Sequence, residues 1–320
     1  MDKSTLRVGK RKIPVSNLDK ILYPGGQFTK ASVIDYYSRV APVLLPHFKK
    51  RPVTLVRYPD GVLKKSFYEK NAPGFTPEWV HTFPVPRTEG GVIQYVLIDD
   101  IATLVWAANL AALELHPFLH RAPNLDRPTH IVFDLDPGEG ADILTCASVA
   151  FLVRELLARL KLKAFPKVSG SKGIQIYVPL NTPVSYDLTQ AFARAVAELL
   201  TREHPRLIVA NMSKALRTGK VFIDWSQNYP TKTTVGVYSL RAKHPQPFVS
   251  TPIRWAELKN ALQIGSSKSL YFLPDAVLSR IREWGDLFAP VLNLRQRLPQ
   301  NFIKMPPAGA AGRRPRSPGS

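Results

Sequence analysis

The chain has 320 residues, 45% of them hydrophobic, with 44 Lys and Arg against 24 Asp and Glu, a formal net charge of +20 and a sequence pI near 10.1. That size and apolar content suit a globular chain, and the charge calls for a polyanionic partner, nucleic acid first and an anionic membrane surface second. The longest apolar run, 101–115, is too short and too polar to span a bilayer, the first thirty residues lack an apolar signal core, and the single cysteine, Cys146, excludes an internal disulfide and a Cys-based zinc site, which together fit a reducing cytoplasm.

Residues 1–30 carry seven Lys or Arg against two Asp, a basic leading segment. Thr29 is placed to cap a helix over 31–46, "ASVIDYYSRVAPVLLP". "PVTLVRYP" and "GVIQYVLI" read as strands, and 101–115 reads as one buried helix, which makes an N-terminal α/β unit over about 15–125. The second half reads as strand 130–136, helix 142–161, strand 164–169, strand 174–180, helix 187–203 and strand 221–225. That order, β-α-β-β-α-β, is the ferredoxin-like or RNA-recognition-motif arrangement and defines a second unit over about 126–290. The fold class is therefore α/β (α+β), with both units in one domain over 1–300. The Pro-, Gly- and Arg-rich stretch 301–320 reads as a disordered basic tail or linker.

In "THIVFDLDPGEG", alternation puts Asp134 and Asp136 on one face of the strand and Leu135 on the other. Alone, the pair fits a solvated strand end before a Pro-Gly turn as well as a cation site. The split βαβ topology sets the third strand beside the first and the fourth on its other side. It thereby brings the hairpin "SGSKG" (Ser169, Gly170, Ser171, Lys172, Gly173) and Asp224 of "KVFIDW" to the same sheet edge. Three carboxylates beside a glycine-rich basic turn suit phosphoryl or nucleotidyl transfer, in which two divalent ions, roughly 3.5–4 Å apart, serve the attacking and leaving oxygens. Backbone N–H groups of the turn, with Ser and Lys, would meet phosphate oxygens. With no GxxxxGK[ST] in the chain, a P-loop ATPase is disfavoured.

"HIVFDLDPGEG", "FPKVSGSKGIQIYVPL" and "GKVFIDWSQNYPTKTTVGVYSLRAKHPQPFVSTPIRWAEL" resemble the three successive motifs of the archaeo-eukaryotic primase superfamily, most closely the polymerase domain of bacterial DNA ligase D. The resemblance runs from about "NLDKILYP" to "DAVLSRIREWGDLF" and implies a primase-polymerase fold. It implies a template-directed nucleotidyltransferase of nonhomologous end joining that extends 3′ ends across short gaps or breaks and prefers ribonucleotides. Asp134, Asp136 and Asp224 match the family's metal-binding carboxylates, with two Mn²⁺ or Mg²⁺ ions and an NTP or dNTP expected. Ser169, Ser171 and Lys172 match the turn that holds the incoming triphosphate; Arg241 in "YSLRAK" matches a basic residue reaching the same phosphates, and His116 in "LELHPF" an active-site histidine. Asn17, Lys20 and Lys30 match a pocket for the 5′-phosphate of DNA at a gap or end, although spacing alone favours reading them as solvated surface residues. Phe67 and Tyr68 match an aromatic pair that stacks on bases, Arg217 a template-contacting arginine, and the loop "PVPRTEGGV" with Arg87 a template-pairing loop.

The chain departs from the family at Gln175, where a histidine is usual; glutamine can donate to a phosphate oxygen but carries no charge or transferable proton. This keeps a second reading in view, a noncatalytic or weakly catalytic DNA-end-binding protein on the same fold. An RNA-recognition-motif binder would present aromatics where Asp134 and Asp136 stand, and a DxD glycosyltransferase leaves the +20 charge unexplained. No KxDG ligase signature is present. Ku and a DNA ligase are therefore expected as partners in trans or through the tail, with pairs of the domain on DNA ends, a cytoplasmic, nucleoid-associated location and no membrane.

Overall fold

Two five-stranded sheets, one in each half of the chain, share a continuous apolar core in this computed structural model, which describes residues 3–299. The expected tail, 301–320, lies outside the described residues. The chain opens with a hairpin of β1 (Lys3–Val8) and β2 (Arg11–Ser16) and a short ribbon of β3 (Ile21–Tyr23) and β4 (Phe28–Thr29). Helix α1 (Lys30–Phe48) begins where Thr29 caps it, its hydroxyl accepting from Ser32 N at 3.2 Å. The first sheet follows: β5 (Pro52–Arg57), β6 (Phe67–Glu69), β7 (Thr82–Pro86), β8 (Val92–Leu97), helix α2 (Ile101–Asn109) and β9 (Ala112–Pro117). Strand β5 is its centre, pairing with β9 on one side and with β6 and β8 on the other.

The helix expected over 101–115 is corrected here. It stops at Asn109, Ala111 turns the chain at φ +56°, and 112–117 forms β9 against β5. The sequence "ALELHP" alternates with period two, and a whole strand of partner hydrogen bonds is on offer at the edge of β5, which outweighs the helix propensity of Ala and Leu. The change matters for chemistry. On a helix Glu114 and His116 would point about 200° apart, whereas on β9 they share one face.

A small ribbon of β10 (His120–Arg121) and β11 (Asn124–Pro128) leads into β12 (His130–Pro137). Then come α3 (Ile143–Arg159), β13 (Phe165–Val168), β14 (Ile174–Pro179), α4 (Tyr186–Glu203), β15 (Ile208–Val209) and β16 (Val221–Asp224). The sheet order is β13-β14-β12-β16-β15, with β12 antiparallel to both β14 and β16. This is the expected split βαβ arrangement with one added short strand, and its element bounds fall within two residues of those read from the sequence. Apolar residues in register across the sheet, Phe133, Leu135, Ile174, Ile176 and Ile223, are fully buried. Buried Cys146 of α3 donates its thiol to Leu135 O at 3.4 Å, which ties α3 to β12, and the Leu135 side chain is fully buried. Helices α5 (Trp255–Ile264), α6 (Pro274–Trp284) and α7 (Ala289–Asn293) complete the described fold. Among the described residues no helix is long and apolar enough to cross a membrane.

Candidate active site

The sheet register sets the site. Asp134 on β12 stands opposite Gln175 on β14 and Asp224 on β16, and Lys167 on β13 stands opposite Gln175. A row of polar side chains, Lys167, Gln175, Asp134 and Asp224, therefore crosses the same face of an otherwise apolar sheet. Asp136, two residues along β12, joins this face. Burial first, and then the charges of Asp136 and Asp224, push the Asp134 carboxyl up to about 8. Burial and Asp224 also raise Asp136, against the pull of Arg217 and Arg241. Like charges held together in a half-dry cleft favour whatever neutralises them, a proton or a cation.

A cleft of about 380 Å³ opens over this face. Asp134, Asp136, Ser169, Ser171, Lys172, Gln175, His116, Arg217 and Arg241 all line it. The turn after β13 is shaped by Ser169, whose Oγ accepts from the backbone N–H groups of Ser171 and Gly173, both at 3.2 Å. This leaves Ser171 and Lys172 at the tip, facing the cleft. Gly170 takes φ +74°, and a Cβ there would stand 2.6 Å from Arg241 Cγ, so only glycine lets that arginine cross the turn. Gly138 likewise makes room for the Arg217 loop, the Arg217 carbonyl oxygen lying 1.8 Å from where its Cβ would be. Arg217 itself stacks over Phe222, 3.6 Å to the ring centroid, and donates Nη2 to Met212 O. Gln175, 2% exposed, donates Nε2 to Thr234 Oγ1 at 2.9 Å, and its Oε1 is buried without a partner.

Asp224 is adjacent in register yet does not line the cleft. Its oxygens accept from Ser226 N at 2.9 Å, Ser226 Oγ at 2.5 Å and Gln227 Nε2 at 3.0 Å. Accordingly, among the described residues no three His, Cys, Asp or Glu side chains form a ready-made metal cage. The donor set nevertheless fits a hard divalent ion of the Mg²⁺ type, which takes one or two carboxylates from protein and its other ligands from water and phosphate.

Sequence reading passed over Glu114, which organises His116 and Arg241 in the cleft lining. It is 1% exposed, accepts His116 Nε2 at 2.8 Å and Arg241 Nη1 at 2.6 Å on Oε2, and accepts Ala242 N at 2.9 Å on Oε1. Burial would raise its carboxyl, but the His116 hydrogen bond and the Arg241 charge outweigh that and hold it down at about 2. Buried Lys167 was also passed over; it donates to Ser250 Oγ at 2.6 Å, and burial lowers its ammonium well below the usual lysine range. Both are legible once their strands are recognised, as charged residues at inward positions of otherwise apolar strands.

The other expected residues lie away from this cleft. Asn17 and Lys20 border a second depression of about 560 Å³, and Lys30 N donates to Lys20 O, which brings the two lysines together at the start of α1. Lys20 pairs with exposed Asp60 at 2.7 Å. Lys30 is 7% exposed, and burial with the charges of Lys20 and Arg57 lowers its ammonium; among the described residues no acid partners it. Phe67 and Tyr68, 42% and 60% exposed on β6, project outward, with the Tyr68 ring 6.3 Å edge-on from His116. Arg87 stands exposed at the tip of the β7–β8 hairpin, its N–H donating to Gly91 O, outside the cleft lining.

A family model described as the LigD primase-polymerase domain matches residues 29–288. The multifunctional nonhomologous end joining protein LigD of Mycolicibacterium smegmatis is 41% identical over 282 residues, covering 88% of this chain and 36% of that protein. The bifunctional LigD of Bacillus subtilis is 34% identical over 86% of this chain and 43% of its own length. The chain thus spans well under half the length of these curated relatives. The solved polymerase domain of Mycobacterium tuberculosis ligase D in complex with DNA superposes with a TM-score of 0.81 at 39% identity, over 89% of this chain and 99% of that one.

Proposed function

The chain belongs to the family of LigD primase-polymerase domains, a class of nucleotidyltransferases, and from that premise we propose that it extends DNA 3′ ends at short gaps and double-strand breaks in nonhomologous end joining, copying a template and preferring ribonucleotides. The observation that carries this reading is the single cleft in which the Asp134–Asp136 pair faces Ser171, Lys172 and Arg241. Acid on one wall and phosphate-binding groups on the other is what a nucleoside triphosphate aligned for attack at its α-phosphorus requires. In this reading Asp134, Asp136 and Asp224 would hold two Mg²⁺ or Mn²⁺ ions. Bound there, such ions would supply charge stabilisation to the attacking 3′-oxygen and the leaving pyrophosphate.

Ser171, Lys172 and Arg241 orient the triphosphate of an NTP or dNTP, and Ser169 keeps the turn in shape. Asn17, Lys20 and Lys30 receive the 5′-phosphate on the far side of the gap; the ammonium of Lys30 at a helix N-terminus, with no acid partner among the described residues, supports this. Phe67 and Tyr68 stack on bases, and Arg87 and Arg217 meet the template strand. Ku and a DNA ligase are the proposed partners, in trans or through the tail, and two copies can meet across a broken end. The proposed setting is the nucleoid in the cytoplasm.

The deciding experiment incubates a gapped duplex carrying a 5′-phosphate with Mn²⁺ and labelled ribo- or deoxynucleotides. The intact chain should extend the 3′ end, ribonucleotides faster, and Asp136→Ala should not. Tight binding of the duplex with no extension by the intact chain would overturn the polymerase reading in favour of end binding alone.

A further inference from the structure

Glu114 gathers two cleft-lining side chains on one buried oxygen. His116 arrives from the same strand two residues on, and Arg241 arrives because the 234–242 segment is fastened to β9 through Gly236 N to Leu115 O at 2.9 Å and Leu115 N to Ser239 Oγ at 2.9 Å. A carboxylate held ionised accepts only, so the His116 nitrogen that meets it, Nε2, must carry the hydrogen. The other ring nitrogen, Nδ1, has no protein partner among the described residues, and in the neutral ring it is a lone pair. Arg241, sharing Glu114 Oε2, lines the same stretch of cleft, so an anion drawn to its guanidinium also meets His116. A lone pair facing a phosphate oxygen is repulsive; a proton on Nδ1 turns the contact into a charge-assisted hydrogen bond.

We propose that Glu114 is a positioning residue that locks His116 with Nε2 inward, so that an incoming triphosphate binds together with one solvent proton, taken up on His116 Nδ1. This rests on the reading that the cleft takes a nucleoside triphosphate. The balance is simple: one proton leaves the buffer, no covalent bond changes, and release of pyrophosphate returns it. The charged groups facing His116 are Glu114 on its own strand, Arg241 from the 234–242 segment and Lys167 from β13, with the Tyr68 ring edge from β6. Of these groups only Glu114 favours the imidazolium, and the triphosphate adds further negative charge. Burial, which keeps the free ring neutral, is consistent with uptake on binding.

The test is titration calorimetry of the full chain with ATP and Mg²⁺ at pH 7.5 in buffers of differing ionisation enthalpy. The intact chain should take up about one proton per nucleotide beyond that of His116→Gln, which leaves the Glu114–Arg241 pair in place. Glu114→Gln should bind ATP at least about tenfold more weakly, as expected for losing charge-assisted hydrogen bonds, and should lose the extra proton. Adding His116→Gln to it should cost little more, because the two act as one unit. Should Glu114→Gln unfold, the proton count of His116→Gln against the intact chain still decides. Equal proton counts for those two proteins would overturn the proposal while leaving the nucleotide site standing. Failure of the intact chain to bind ATP would overturn the nucleotide reading as well.

Discussion

Asp134→Asn should make the metal-free protein more stable and inactive. The carboxyl is pushed from 3.8 to about 8 by burial and by Asp136 and Asp224. A shift of about four units corresponds to about 5–6 kcal/mol at about 1.4 kcal/mol per unit. One side of the group faces an open cleft, so roughly half of that, about 2–3 kcal/mol, is the reasonable gain on replacing it with a neutral isostere. For a chain of this size that is about 3–6 °C in Tm. The sign follows from linkage. A carboxyl with a raised folded pKa favours the folded state fully below pH 3.8, and that contribution is lost as pH rises through about 8. Thermal unfolding with a chelator present should therefore show nearly equal Tm values for the two proteins near pH 4 and a gap that widens up to pH 8.5. Mn²⁺ should then stabilise the wild type and not the variant. A gap independent of pH, or a variant less stable than wild type at pH 8.5, would refute the view that Asp134 is held against its own repulsion for function.

Lys20→Ala with Lys30→Ala should erase the preference for a 5′-phosphorylated gap. Asp60→Asn, which frees Lys20 from its 2.7 Å ion pair, should tighten that end about two- to fivefold, the range of an exposed pair; equal changes on phosphorylated and hydroxyl ends by fluorescence anisotropy would count against the pocket. Gly170→Ala forces a side chain into φ +74° and against Arg241 Cγ at 2.6 Å. It should cost about 1–2 kcal/mol of stability and raise the nucleotide KM, and an unchanged KM would show that Arg241 does not depend on that turn. Gln175→His should tighten nucleotide binding at pH 6 relative to pH 8, because an imidazole charges in that range; parallel KM values across pH would remove any role for a charge there. Binding of duplex DNA should weaken linearly in log–log with salt as counterions are released, and a flat response would contradict a basic DNA surface.

Local pattern determined much of this protein. Period-two alternation in "HIVFDLDP" set both carboxylates on one face, Thr29 marked the start of α1, and the order of elements from 130 to 225 was enough to bring "SGSKG" and Asp224 beside the Asp pair. Those are short-range signals, written in neighbouring residues. What tertiary structure decided were the features that depend on a distant partner. Strand β9 exists because β5 offers it hydrogen bonds from sixty residues upstream, and "LVWAANLAALEL" by itself carries a helical preference throughout. Glu114 gains meaning only when Arg241 arrives 127 residues later, and Lys20 meets Asp60 across 40 residues. The third carboxylate shows the same division. Its register beside Asp134 follows from strand order, but its hydrogen bonds to Ser226 and Gln227 belong to the short turn after β16, a conformation that no side-chain periodicity encodes.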